Sequence, residues 1–311
     1  MTADLTTALT AEGLTRMYPG GGGIRDVSFT AADRAVTAVI GPNGAGKTVL
    51  FSIIAGLVHA EAGIVAPASP HARVAYCPDV PQFESWLTAR EVVETSLEVS
   101  RGSAERGQRA RSADLARGAL EACGLGAVGE RRVADFSRGM LQRLGIAAAV
   151  VTDPDVLILD EPNSALDPLG RADVRDIISE QKRHRCILLS SHMLSEVEQL
   201  ADHIVVLAEG EVIARGTTAS IFTDGLAPVW TIRLGAPARI GTAALAAAVP
   251  EAHFAFEADT LCTVRFPSFE AAANRLVIVL HLLDSPLVEV TLRERDLDAS
   301  FARIVQHQER R

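Results

Sequence analysis

Lysine is nearly absent from this chain of 311 residues: of its 30 basic side chains only Lys47 and Lys182 are lysine, and the other 28 are arginine. Cysteine is also scarce. Cys77, Cys123, Cys186 and Cys262 lie far apart with no C-x-x-C pair, which argues against a disulfide framework or a zinc site and for a reducing compartment. No run of about 18 uninterrupted apolar residues occurs, so no segment reads as a membrane-spanning helix. Met1 to Thr10 lacks both a basic start and an apolar core, which predicts no export signal. Positive charge is in deficit: 30 basic against 39 acidic residues give a net charge of −9, a poor footing for nucleic acid. What remains is a cytosolic, core-forming protein with 48% hydrophobic and 22% charged residues. It is long enough for one large domain and a smaller one.

Against that background the octapeptide Gly41-Pro42-Asn43-Gly44-Ala45-Gly46-Lys47-Thr48 stands out. It fits G-x-x-x-x-G-K-[ST], follows the β-like run Val36 to Ile40 and opens the helix-like run Val49 to Leu57, the context of a phosphate-binding loop. One of the two lysines sits in it. A compact ammonium fits inside a ring of backbone N–H groups around a triphosphate, whereas a planar guanidinium does not.

The rest of the chain reads as an α/β fold built on this loop. Residues 5–35 read as short β segments joined by turns, with Gly20 to Gly23 as a loop, forming an N-terminal antiparallel β subdomain. Val156 to Leu159 and Cys186 to Leu189 are continuous apolar runs, the pattern of parallel strands covered on both faces. Between them Leu169 to Arg183 has helical spacing, and His203 to Leu207 with Glu211 to Ala214 resembles a closing hairpin. Residues 86–150 form a helical subdomain. Inside it, Arg101 to Arg111 reads as a solvated loop, with an anionic-lipid contact as the alternative. A P-loop domain over residues 5–222 is thus followed by a small α+β domain over 226–311. There the order βαββαβ, with a last helix over Asp296 to Gln308, suggests a ferredoxin-like unit.

Three further motifs carry chemistry. The strand Val156 to Leu159 ends in Asp160-Glu161. The first acid suits Mg²⁺ together with the Thr48 hydroxyl, and the second is placed to polarise a water attacking a γ-phosphate. Ser137 and Gly139, at the start of a helix, combine a hydroxyl, a backbone N–H and the helix dipole. They make either an ordinary N-cap or a second anion site. His192 closes Ser190-Ser191-His192 at the carboxyl end of the next strand, on the ligand edge of the sheet.

In order and spacing these motifs resemble the ATP-binding cassette (ABC) ATPases, the nucleotide-hydrolysing subunits of ABC transporters, over residues 5–220. Gly41 to Thr48 matches Walker A, Ser137 to Met140 the signature and Val156 to Glu161 Walker B. Ser164-Ala165-Leu166-Asp167 matches the D-loop and His192 the switch histidine. Tyr18 falls where the family stacks an aromatic ring on adenine. Two departures stand out. Arg138 and Met140 alter the usual Leu-Ser-Gly-Gly-Gln while keeping Ser137 and Gly139, and Asp79 stands where the family has its Q-loop glutamine. The resemblance allows Asp79 to reach Mg²⁺ or its waters.

Both departures, and the C-terminal domain ending Leu297 to Phe301, look like the branch of single-cassette exporters. The resemblance therefore implies an ATPase using ATP and Mg²⁺. It would pair head-to-tail with a second copy and drive a separate integral membrane subunit from the cytoplasmic face. The segment Val80 to Val93, with Phe83, Trp86 and Leu87, is expected to dock on that subunit, or else to pack the helical core. The competing reading is a soluble ABC ATPase of translation or DNA maintenance. Translation types have two cassettes per chain. DNA-maintenance types have a long coiled coil where this chain has only about 90 residues between Walker A and signature.

Overall fold

The computed structural model describes residues 6–101, 109–164, 166–223 and 228–292. These fall into two packed units divided between Ile221 and Phe222. The first unit begins with β1 (Thr7–Met17) and β2 (Gly23–Ala32), antiparallel partners on either side of a turn that Tyr18 and Gly22 close. Two long strands thus replace the several short segments expected over residues 5–35. The physical reason is a bulge: Gly13, at φ 60, lies in a register shift between Ala11 and Leu14 that interrupts the alternation of one continuous strand.

Next come β3 (Val36–Ile40), α1 (Lys47–Ile54), β4 (Ala62–Pro67) and β5 (Val74–Cys77). Neither β4 nor β5 was foreseen. β4 is a largely exposed edge strand on β1, and β5 is four residues long at a sheet edge, so neither has a long apolar run. Three helices follow, α2 (Ala89–Ser100), α3 (Arg109–Ala122) and α4 (Arg138–Val150), and pack on one another. A capping box fixes the start of α2: the Thr88 hydroxyl accepts from the Glu91 N–H, and the Glu91 carboxylate accepts from the Thr88 N–H. Those bonds hold the Glu91 carboxyl below its ordinary range.

The chain then alternates through β6 (Val156–Leu159), α5 (Pro168–Gln181), β7 (Cys186–Ser191), α6 (Leu194–Leu200) and β8 (His203–Ala208). It closes with β9 (Glu211–Thr217) and α7 (Thr218–Thr223). The six-stranded sheet has the order β5-β6-β7-β3-β8-β9, with β9 antiparallel on the edge and its neighbours parallel. Every residue of β3, β6 and β7 is buried, as a parallel sheet covered on both faces requires. A single core joins this sheet, α1 and the antiparallel sheet β2-β1-β4 through Leu50, Phe51, Leu9, Ile24, Ile158 and Leu188. Each fully buried side chain of this kind contributes roughly 1.5–3 kcal/mol, so the helix behind the phosphate loop is clamped between two sheets.

The second unit contains β10 (Val229–Leu234), α8 (Thr242–Ala248), β11 (His253–Ala258), β12 (Leu261–Arg265), α9 (Phe269–Leu282) and β13 (Leu287–Leu292). Its all-antiparallel sheet runs β11-β12-β10-β13, the arrangement of a split βαβ unit. It has its own core of Ile232, Leu245, Cys262, Val264 and Val279. The helix expected over Asp296 to Gln308, the Leu297 to Phe301 segment, most of Arg101 to Arg111, and Ala165 lie outside the described residues. All four cysteines are buried and unpaired. Burial pushes the Cys123 and Cys186 thiols up to about 12, which leaves them protonated and unreactive at neutral pH.

Candidate active site

Three strands bring the site together. In the order β6-β7-β3 their carboxyl ends deliver, side by side, Asp160-Glu161, Ser190 to His192, and the loop from Gly41 to Thr48. The loop cannot carry ordinary side chains at two of its glycines. Gly46 sits at φ 101, and a Cβ there would lie 2.6 Å from the Gly23 carbonyl oxygen; one at Gly41 would overlap the Leu207 carbonyl oxygen. Pro42, Asn43, Gly44 and Thr48 are exposed while Ala45 and Lys47 are buried. The crest therefore faces solvent and the root is anchored.

The Lys47 ammonium folds back over this loop, donating to the Gly41 carbonyl at 2.9 Å and the Pro42 carbonyl at 3.4 Å. Its Nζ also lies 3.6 Å from Glu161 Oε1. The other carboxylate oxygen of Glu161 meets His192 Nδ1 at 2.8 Å. The structure thus joins Lys47, Glu161 and His192, from three separate strand ends, in one polar chain. Glu161 has φ 47, a left-handed conformation uncommon for a side chain of this type.

Asp160 is almost fully buried at 2% exposure. Its Oδ1 accepts from the Ser190 hydroxyl at 2.6 Å and its Oδ2 from the Tyr76 phenol at 3.1 Å. Burial, then the Asp160 charge and its hydrogen bond, push the Tyr76 phenol well above its ordinary value, so it remains a donor. Sequence reasoning missed both groups. A signal existed for each: Tyr76 is one of only two tyrosines, and Ser190 is the polar residue that interrupts the apolar run of β7.

The other expected site residues stand on other segments of the chain. Ser137 is the N-cap of α4, its hydroxyl accepting from the Met140 N–H at 3.3 Å, and it is exposed together with Arg138. Gly139 sits beside Leu166: a Cβ there would be 3.7 Å from that side chain. Tyr18 is 39% exposed, with the Arg16 guanidinium 5.1 Å from its ring centroid, so one ring face is already covered by a cation. Asp79 lies two residues beyond the end of β5. Its carboxylate accepts a hydrogen bond from the Ser164 hydroxyl, in the loop after Glu161. Among the described residues no group of three or more His, Cys, Asp or Glu side chains could hold a metal ion.

A phosphate loop facing an acid pair across a parallel sheet is the layout of a P-loop nucleoside triphosphatase. Comparison with known proteins narrows the class. Residues 24–164 match the family described as ABC transporter. The chain is 34% identical over 228 residues to the uncharacterized ABC transporter ATP-binding protein YxlF of Bacillus subtilis (strain 168), a match covering 72% of this chain and 76% of that protein. It is 31% identical over 244 residues to the daunorubicin/doxorubicin resistance ATP-binding protein DrrA of Streptomyces peucetius, covering 75% and 72%. Among solved structures, an ATP binding subunit of an ABC transporter aligns with a TM-score of 0.61 at 29% identity, over 70% of this chain and 93% of that one. The chain belongs to the ABC transporter ATP-binding proteins, and with them to the ATPases.

Proposed function

We propose that this chain is the ATP-hydrolysing subunit of an exporter, working as a head-to-tail pair beneath a separate membrane subunit. The observation that carries the reading is the polar chain from Lys47 through Glu161 to His192 on the ligand edge of the sheet. With ATP bound, the Lys47 ammonium exchanges the Gly41 and Pro42 carbonyls for the β- and γ-phosphates, and the N–H groups at the start of α1 cradle them. Glu161 orients and polarises the attacking water. His192 holds Glu161 in place and contacts the γ-phosphate. Tyr18 stacks on adenine after its ring is freed from Arg16.

Asp160 and Thr48 would hold Mg²⁺. The donor set fits: both are hard oxygen ligands, and a carboxylate that accepts two hydroxyl protons still has free lone pairs. Bound Mg²⁺ neutralises charge on the phosphates. Asp79 is better suited to tethering the Ser164 loop than to ligating the ion.

Ser137, exposed, and Gly139, partly exposed, at the start of α4 supply the second anion site to the nucleotide of a partner copy. The membrane subunit docks at Val80 to Val93. Trp86 is 64% and Val80 52% exposed there, and Phe83 lines a groove of about 520 Å³ together with Pro78, Pro81 and Tyr76. Among the described residues no helix is long and apolar enough to cross a membrane. In this reading the chain works peripherally, at the cytoplasmic face beneath its membrane subunit. Export is favoured by the resistance function in the name of DrrA.

Glu161→Gln tests the reading. ATP binding should stay near normal while turnover falls by roughly 10²–10⁴-fold, and an ATP-bound dimer should accumulate on size-exclusion chromatography. Unchanged turnover would remove Glu161 from the chemistry.

A further inference from the structure

Ser190 is fully buried and makes two hydrogen bonds with one oxygen. Its Oγ donates to Asp160 Oδ1 at 2.6 Å and accepts from the Glu161 backbone N–H at 2.7 Å. Strand register explains the placement. In the parallel pair β6–β7, Leu159 lies opposite Leu189, so the next residues on the two strands, Asp160 and Ser190, emerge side by side. The hydroxyl therefore links the side chain of one acid to the backbone of the next. Glu161 needs such a link because it sits at φ 47, where a non-glycine residue persists only when its surroundings enforce it.

We propose that Ser190 is a positioning residue that makes the two acids one unit. A single hydroxyl fixes the orientation of Asp160 and the left-handed backbone that aims Glu161 at Lys47 and His192. The relay runs from the Glu161 N–H to Ser190 Oγ and from its O–H to Asp160, so each bond polarises the other. A rearrangement of either acid must break or carry the other. Asp160 has a second grip, the Tyr76 phenol, but that group does not touch Glu161. The inference rests on the assignment of Asp160 to Mg²⁺ and of Glu161 to the water.

The test uses the isosteric pair S190T and S190V, which add the same methyl to the same buried position and differ only in the hydroxyl. Two readouts are followed in the full chain. One is amide hydrogen exchange of the peptide containing Glu161, without nucleotide or metal. The other is the Mg²⁺ concentration that half-saturates binding of a fluorescent, non-hydrolysable ATP analogue. S190T should stay within about 3-fold of wild type on both. S190V should exchange the Glu161 amide about 10-fold faster, raise the Mg²⁺ midpoint about 10-fold and lower kcat by 10-fold to 100-fold, the range found for groups that orient metal ligands. Y76F should raise the Mg²⁺ midpoint and leave the Glu161 amide protected. The proposal is overturned if S190V matches S190T on both readouts, or if Y76F exposes the Glu161 amide as much as S190V does. D160N separates the two levels of argument. An unmoved Mg²⁺ requirement in D160N defeats the assignment of Asp160, and this inference with it. A shifted D160N beside an unmoved S190V defeats the role of Ser190 alone.

Discussion

Two regions of the nucleotide-binding unit, the phosphate loop and the proposed second half-site, are wired in opposite ways. Around the phosphate loop, Lys47, Asp160, Glu161, Ser190 and His192 all find partners among themselves, and all but His192 lie at most partly exposed. At the start of α4, Ser137 and Arg138 are exposed, and among the described residues the Ser137 hydroxyl bonds to the first turn of its own helix. Arg138 makes no ion pair among the described residues. A half-site whose groups are already paired is set within one chain and needs only its ligand. A capped helix start open to solvent has more N–H capacity than one serine consumes, and in the proposed pairing the anion it receives comes from a second copy. The contrast is the physical basis for reading the active unit as two copies.

Breaking the prearranged half should have the largest effect. Lys47 is 8% exposed, with its ammonium 2.9 Å from one loop carbonyl and 3.6 Å from Glu161, a space sized for a compact cation. Lys47→Arg keeps the charge, yet should lower ATP turnover by about 10²-fold or more, nearly as much as Lys47→Ala, because the fork does not fit. Normal nucleotide binding by this variant, measured by calorimetry, would show that charge alone suffices.

An intermediate effect is expected at the proposed docking segment. Phe83 is only half-buried. Phe83→Ser should leave basal ATP hydrolysis near normal and lower the melting temperature by less than about 4 °C, while abolishing co-purification with the membrane subunit. A fall of many degrees would make Phe83 a core residue instead.

The smallest effect is expected at the second lysine, the control for the first. Lys182 Nζ meets Asp202 at 2.6 Å with both side chains about one-third exposed. Such a pair is worth about 0–1 kcal/mol, and a guanidinium can replace it. Lys182→Arg should therefore shift the melting temperature by under about 3 °C and leave ATPase activity unchanged. A marked loss would mean that lysine is retained in this chain for something other than the phosphate loop.

What was legible in the sequence follows the same division. The phosphate loop and the Asp160-Glu161 pair could be read because their residues are contiguous, and the buried strands because their apolar runs are unbroken. Ser190 and Tyr76 leave only a faint trace in the sequence, and their contacts, like that of Asp79 with Ser164, depend on which segments lie side by side. Tyr76 reaches Asp160 because β5 pairs with β6, and β5 is a four-residue edge strand with no signal of its own. The motif position of Asp79 points to the metal, and nothing in the motif announces its contact with the Ser164 hydroxyl.

The two half-sites can be tested together by mixing defective subunits. Ser137→Arg should abolish hydrolysis without weakening ATP binding to the monomer, because the bulky cation blocks the half-site offered to the partner. Lys47→Ala should be inactive through the other half. Mixed, with Lys47→Ala in excess, the two should recover measurable ATPase activity, since each heterodimer joins the intact phosphate loop of one chain to the intact Ser137 of the other. Activity that rises with the fraction of heterodimer is the predicted result. No recovery at any mixing ratio would contradict a site shared between two chains.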